Sequence, residues 1–138
     1  MDLTSLMYTS LARPDFETSE LEAIHGSSRE LNAAAGITGL LVFNGIHFLQ
    51  ILEGKHCAAE GLLNRLRADP RHFGLEVRDE RRVPQRSFPD WSMELIEIKG
   101  HYSEAREAID SRLPETVPEI IRLRLLRMTE LISTMDFS

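Results

Sequence analysis

The chain has a single cysteine, Cys57, so it can form no internal disulfide and fits a reducing compartment. No apolar run approaches the ~18 residues that a membrane-spanning helix requires, and no charged-then-apolar leader opens the chain. Neither secretion nor membrane insertion is indicated, and a cytoplasmic location is expected. Positive charge is also scarce: 16 Lys and Arg against 22 Asp and Glu leave a net charge of −6, which argues against a nucleic-acid partner. Arg78, Arg81, Arg82 and Arg86 do cluster, but Glu76, Asp79 and Glu80 interleave them, as on a solvated strand face. The sequence contains no GxSxG elbow, Walker loop, GxGxxG or HExxH, and His25, His47, His56, His72 and His101 show no metal-ligand spacing. Hydrolysis and metal chemistry therefore have no support, and the chain is not expected to be an enzyme.

What is present is the composition of an ordinary domain, 138 residues with 42% hydrophobic and 28% charged, enough to bury roughly two-thirds of its unfolded surface. Leu3 to Tyr8 is β-prone and is followed by the breaker Arg13-Pro14-Asp15. Ser19 with Glu22 reads as a capping box opening a helix whose inward stripe is Leu21, Ile24, Ser28, Leu31 and Ala35, up to a stop at Gly36. A hairpin follows, then a second helix from Lys55 to Asp69 with Ala58, Leu62 and Leu66 inward, ended by Pro70. Strands are expected near Leu75–Val83 and Trp91–Ile98. The order β-α-β-β-α-β-β is the α+β, ferredoxin-like split βαβ arrangement, with two helices on one sheet face. Residues beyond 98 must cover the other face: a short helix over 103–112, then a longer one opened by Thr116 and Glu119, with Pro118 in its first turn. Val117, Ile121, Leu125, Met128, Ile132 and Met135 should line its inner side, and Leu123 and Leu126 its outer side.

The hairpin Thr38 to Gly54 is the most informative segment. Asn44-Gly45 signals a two-residue type I′ turn, which would place Phe43 opposite Ile46 and Gly39 opposite Gln50. Alternation puts Leu41, Phe43, Ile46, Phe48, Gln50 and Leu52 on one face and Leu40, Val42, Leu49 and Ile51 on the other. Both faces are apolar, so Gln50 is an amide in an apolar setting and must find a partner, because an unpartnered buried amide costs ~1–3 kcal/mol.

Several other polar groups converge on the same region. Asn32 lies eleven positions after Leu21, about three helical turns on, so it faces inward with His25 and Ser28. Tyr8 and Ser10 share one face of the first strand, where the Tyr8 hydroxyl can meet Gln50. Arg65 and Asp69 are spaced i, i+4 on the second helix, with Arg71 and His72 just beyond Pro70. Two amides facing one cleft point to a polar, planar ligand between helix and sheet. Core hydrogen bonding remains the alternative for each residue taken alone.

Taken together, Tyr8 and Ser10, Asn32, the Gly39–Gly54 hairpin with Gln50 and Leu-Glu-Gly, Asp69-Pro-Arg-His72 and Arg86-Ser-Phe-Pro-Asp-Trp-Ser-Met93 closely resemble the BLUF family of flavin-binding blue-light sensors. The resemblance covers about residues 1–98, leaving 99–138 as a C-terminal helical extension. It implies FAD held noncovalently between the two helices, with FMN or riboflavin open as alternatives. By position, Tyr8 would be the electron and proton donor, Gln50 the bridging amide and Asn32 a contact to the ring edge. Arg65 and Asp69 would flank the pyrimidine side, while Ser10, His25, Ser28, Gly39, Phe48, Arg71 and His72 complete the expected contact set. Trp91 and Met93 lie where family members differ over which side chain approaches Gln50. Leu31 stands where some relatives have a second amide. No cyclase, phosphodiesterase or DNA-binding segment follows residue 98, which implies a stand-alone sensor acting on another protein; a homodimer is left open. The rivals are a flavin-dependent oxidoreductase and an unliganded ferredoxin-like interaction module.

Overall fold

The computed structural model describes residues 3–89, 93–98, 102–113, 115 and 117–134, together with the side chains of most of them. Its elements run β1 (Leu3–Ala12), α1 (Thr18–Ala35), β2 (Thr38–Phe43), β3 (His47–Lys55), α2 (His56–Ala68), β4 (His72–Val83), β5 (Glu94–Glu97), α3 (Tyr102–Arg112) and α4 (Glu119–Thr134). The strands form one sheet in the order β4-β1-β3-β2-β5, antiparallel except for β2 with β5. This is the expected ferredoxin-like α+β fold with one added edge strand.

Each sheet face carries its own apolar cluster. On one face Leu6, Tyr8, Leu41, Phe43, Phe48 and Leu52 pack with Leu21 of α1 and with Leu62 and Leu63 of α2. On the other, Leu40, Val42, Leu49, Ile51 and Ile96 pack with Ile109 of α3, with Val117 just before α4, and with Ile121 and Leu125 of α4. The C-terminal helices thus cover the face that the first two helices leave bare, which is what hydrophobic alternation on both sides of the hairpin requires.

The hairpin register differs from the expected one. Phe43 pairs with Phe48, Leu41 with Gln50 and Gly39 with Leu52. The two-residue turn is replaced because the Asn44 side chain takes over the turn's hydrogen bonding: its Oδ1 accepts from the N–H of Ile46 at 3.0 Å and of His47 at 2.7 Å. Ile46 therefore leaves the strand, and its carbonyl accepts from Ala12 N–H at 2.8 Å. The slip is two residues, so every side chain that stays in the strands keeps its face. Gly39 is required for a different reason from the one its expected position suggested: a Cβ there would lie 1.9 Å from the Ile51 carbonyl oxygen.

Other differences are local. Strand β1 continues past Tyr8 to Ala12, paired with β3 on one side and β4 on the other. Helix α1 is capped at Glu17 with no side-chain bond, so the Ser19–Glu22 capping box does not form. Its entry is set by Phe16, whose ring lies edge-on to Phe43 and Phe48 with centroids 5.5 Å away, in the position of a hydrophobic staple. Leu31 and Ala35 are exposed rather than inward, because Leu21, Ile24, His25, Ser28 and Asn32 form the covered stripe. Gly36 stops the helix in a left-handed conformation, with Ile37 N–H returning to Asn32 O at 2.8 Å. In α4, Pro118 sits at the cap, its carbonyl accepting from Ile121 and Arg122, each at 3.0 Å. Leu126 is buried, contrary to its outward assignment, because α4 packs against α3 as well as the sheet and so buries a wider stripe. Thr116, Met135 and the side chain of Ile132 lie outside the described residues. The arginine-rich strand β4 carries ordinary ion pairs, Arg78 with Glu76 at 3.1 Å and Arg81 with Asp79 at 2.9 Å, which also guard the sheet edge.

Candidate functional site

Central strands β1 and β3 place Tyr8 directly opposite Gln50. Both are buried, and the Tyr8 hydroxyl donates to Gln50 Oε1. The other end of the same amide donates from Nε2 to Met93 Sδ at 3.1 Å, just before β5. His25 of α1 then holds Met93 in place, its Nε2 donating to the Met93 carbonyl at 2.8 Å. Tyr8, Gln50, Met93 and His25 form one continuous hydrogen-bonded line that crosses the sheet and ends on the first helix. Of the two candidates for the neighbour of Gln50, Met93 occupies that place; Trp91 lies outside the described residues.

A second line supports the other wall. Ser10 lies 2.7 Å from His72 Nδ1, and His72 Nε2 lies 2.6 Å from the Leu66 carbonyl. A carbonyl only accepts, so Nε2 carries the proton, and in the neutral ring Nδ1 accepts from the serine hydroxyl. The imidazole is thereby fixed near the Tyr8 ring, centroid to centroid 6.5 Å.

Between α1, α2 and the sheet lies a cleft of about 380 Å³, counting its mouth, lined by Tyr8, Ile24, Ser28, Leu41, Phe48, Gln50, Leu66, Asp69, Arg71 and His72. The lining combines apolar walls with a few polar groups, as small-molecule sites do. Burial pushes the Tyr8 phenol well above its ordinary value, and nearby Asp69 adds to the shift, so the hydroxyl keeps its proton and remains a donor. Asp69 is held below the usual carboxylate range, chiefly by its hydrogen bonds from the Arg71 side chain at 2.9 and 2.6 Å. Arg71 is correspondingly raised, first by the same contact.

Among the expected site residues, the structure brings Tyr8, Ser28, Phe48, Gln50, Asp69, Arg71 and His72 into one cleft. Ser10 and His25 stand behind it as supports. Asn32 is fully buried and is not among the residues lining the cleft, and among the described residues its Nδ2 has no hydrogen-bond partner. Gly39 is two rungs from its expected place opposite Gln50 and does not line the cleft. Arg65 is exposed, and the carboxylate of Asp69 pairs with Arg71 instead. The reason is that α2 ends at Ala68: Asp69 is already extended, with φ −74° and ψ 118°, so helical i, i+4 geometry no longer applies.

Glu53 and Arg86 contribute beyond the expected set. Glu53 is fully buried on β3, and its carboxylate accepts from the N–H groups of Ser87 at 2.9 Å and Phe88 at 2.8 Å. Arg86 donates to the carbonyls of Glu53 and Gly36, each at 2.7 Å. Together they anchor the segment that leads to Met93. The signal available was the lone acid in an apolar strand, which demands donors.

Fold and site thus define an α+β ferredoxin-like domain with a small-molecule cleft ending on a tyrosine–glutamine pair. The family model "BLUF: Sensors of blue-light using FAD" matches residues 3–94, and the chain belongs to this family of blue-light sensors that bind flavin. Its relatives include the blue light- and temperature-regulated antirepressor BluF of Escherichia coli K12, 32% identical over 99 residues, covering 72% of this chain and 25% of that protein. Another is the photoactivated adenylate cyclase subunit beta of Euglena gracilis, 37% identical over 93 residues, covering 66% of this chain and 11% of that one. The chain therefore spans only a quarter or less of these curated relatives. Among solved structures, BlrP1 BLUF superposes with a TM-score of 0.83 at 29% identity, over 100% of this chain and 94% of that one. Dark-state BlrB gives 0.71 at 32% identity, over 96% and 92%.

The residues present suit a flavin. A buried amide nitrogen without a partner among the described residues, as at Asn32, costs ~1–3 kcal/mol, and a flavin ring carbonyl would supply an acceptor. The cleft supplies apolar walls at Ile24, Leu41 and Phe48 and hydrogen-bonding groups at Gln50 and Ser28. Among the described residues, no helix is long and apolar enough to cross a membrane.

Proposed function

We propose that this chain is a non-enzymatic, cytoplasmic photoreceptor that holds FAD in the α1–α2 cleft and signals by rearranging the hydrogen bonds of Gln50. The single observation that carries the reading is the line Tyr8–Gln50–Met93, and the buried Asn32 amide nitrogen, unpartnered among the described residues, adds a second polar group on α1. In this assignment Asn32 and Gln50 hold the polar edge of the ring, Phe48 and Ile24 its faces, and Arg71 and Asp69 the mouth beside α2, with exposed Arg65 next to Leu66. FMN or riboflavin would place the same ring on the same residues.

When bound, the flavin supplies absorption of blue light and, once excited, a strong oxidant. Tyr8 is suited to respond because its phenol is neutral, buried and already hydrogen-bonded to Gln50. Loss of an electron from the ring makes the phenol strongly acidic, and the amide oxygen is in place to take the proton. Gln50 both donates and accepts, so it can exchange its two ends between partners. A reversal that turns Oε1 away from Tyr8 takes Nε2 away from Met93, so one event at the sheet centre is felt at the entry to β5. Rearranging one or two buried hydrogen bonds changes the free energy by about 0.5–1.5 kcal/mol each, comparable with an allosteric coupling of ~1–3 kcal/mol.

Residues 1–98 would then act as the sensor and 99–138 as the relay to a downstream protein. Leu49 and Ile51 flank Gln50 on the opposite sheet face and pack against α3 and α4. Hydrogen exchange over 102–134, compared in darkness and under blue light, is expected to differ most in α4. Identical profiles would remove the relay.

A further inference from the structure

Helix α4 has a second apolar strip that no described residue covers. Ile120 and Leu123 are 57% and 56% exposed, and with Arg127 and Glu130 they recur at three- and four-residue spacing on one side of the helix. This strip and Arg106 of α3 line a groove of about 960 Å³, counting its mouth. The charges around it are unevenly used. Arg122 and Arg124 of the same helix are ion-paired, with Asp110 at 2.5 Å and Asp79 at 2.9 Å. Arg106 and Arg127 are exposed and have no carboxylate in ion-pair range among the described residues.

We infer that this groove docks an acidic amphipathic helix of another protein, its apolar face on Ile120 and Leu123 and its carboxylates on Arg106 and Arg127. Anchors repeated every three to four residues are what a helix lying in a groove presents. The unpaired guanidinium groups select the sign of its flanks, and as rim charges they contribute specificity more than affinity. A second copy meeting the same face about a two-fold axis would bring two sets of Arg106 and Arg127 into one interface, with only the two Glu130 carboxylates of the groove to offset them. A polyanion such as RNA would meet apolar side chains at the centre of the groove and a chain of net charge −6. Ile121 and Leu125 on the inner side of α4, with Val117 just before it, pack on the sheet. The same helix therefore touches both the strand carrying Gln50 and the proposed partner, and any coupling between them must be reciprocal.

The inference gives the chemistry of the partner required by the proposed sensor function, so docking is measured in darkness and photochemistry separately. Fluorescence anisotropy on the full chain uses a synthetic helical peptide with leucines at i, i+3, i+4 and i+7 and flanking glutamates, and a twin with lysines in their place. The acidic peptide is expected to bind about tenfold more tightly than its twin, as two surface ion pairs against two repulsions imply. Leu123→Asp, with Ile120→Asp as an independent check at a second exposed site, should weaken it at least about fivefold. The double variant Arg106→Glu, Arg127→Glu should invert the preference, and unchanged flavin absorbance in all variants reports an intact fold. Equal binding of the two peptides, or an unchanged preference in the charge-reversed protein, overturns the inference. So does self-association abolished by Leu123→Asp, or binding to phosphatidylserine vesicles without binding to the acidic peptide. Loss of docking with a normal light response leaves the sensor assignment intact.

Discussion

Replacing Glu53 by alanine is expected to lower the free energy of unfolding by about 2–6 kcal/mol. The carboxylate is fully buried and serves two backbone donors, Ser87 N–H at 2.9 and 3.0 Å and Phe88 N–H at 2.8 Å. Truncation removes the acceptor from both, and each buried donor so deprived costs ~1–3 kcal/mol. Against a typical total of about 5–15 kcal/mol, that is a large share. Glu53→Gln separates charge from geometry, because its one carbonyl oxygen, placed as Oε1, can still serve both donors. Its loss should be smaller, ~1–2 kcal/mol, mainly from the amide nitrogen facing Ser87 N–H. Urea titrations with unchanged slope would give the order wild type, Gln, Ala. An alanine variant costing less than ~1 kcal/mol, or a glutamine variant as unstable as alanine, would refute the reasoning that the carboxylate anchors the segment before Met93.

The other outcomes concern the site itself. His25→Ala frees the Met93 carbonyl, and losing one hydrogen bond of about 0.5–1.5 kcal/mol should shift dark recovery roughly two- to tenfold while the light-induced red shift persists; His25→Gln, which keeps a donor, should restore much of the original rate. Asp69 is more acidic folded than unfolded, so unfolding takes up a proton. Its contribution is complete above the ordinary carboxylate value of about 3.9 and lost as pH falls below it, and Asp69→Asn should flatten that acid limb in a pH titration of thermal stability.

Much of this architecture is legible in the chain because side-chain alternation survives errors of register. The faces of the hairpin follow from parity alone, and a two-residue slip leaves Leu41, Phe48 and Gln50 together. The slip itself was not legible, because Asn44 has two ways of making a turn, with its backbone or with its side chain, and only tertiary context selects between them. Asn32 could be placed from helical periodicity, since Leu21 fixes the phase of α1. Glu53 could not, because its partners lie 34 and 35 residues away on an irregular segment. Leu126 escapes a single-helix projection because α3 forms a second packing surface for α4. Asp69 pairs with Arg71 rather than Arg65 because α2 ends at Ala68; helix ends are the boundaries a sequence defines least, and one residue turns an i, i+4 spacing into a different contact.

The account rests on the buried phenol and carboxamide acting as one unit on a bound flavin. The most direct measurement is the blue-light difference spectrum of Tyr8→Phe beside the unaltered protein, both loaded with FAD. Removing one hydroxyl should leave flavin binding and the fold in place and abolish the small, reversible red shift, as Gln50→Ala should. A Tyr8→Phe protein that shifts and recovers like its parent would contradict the account.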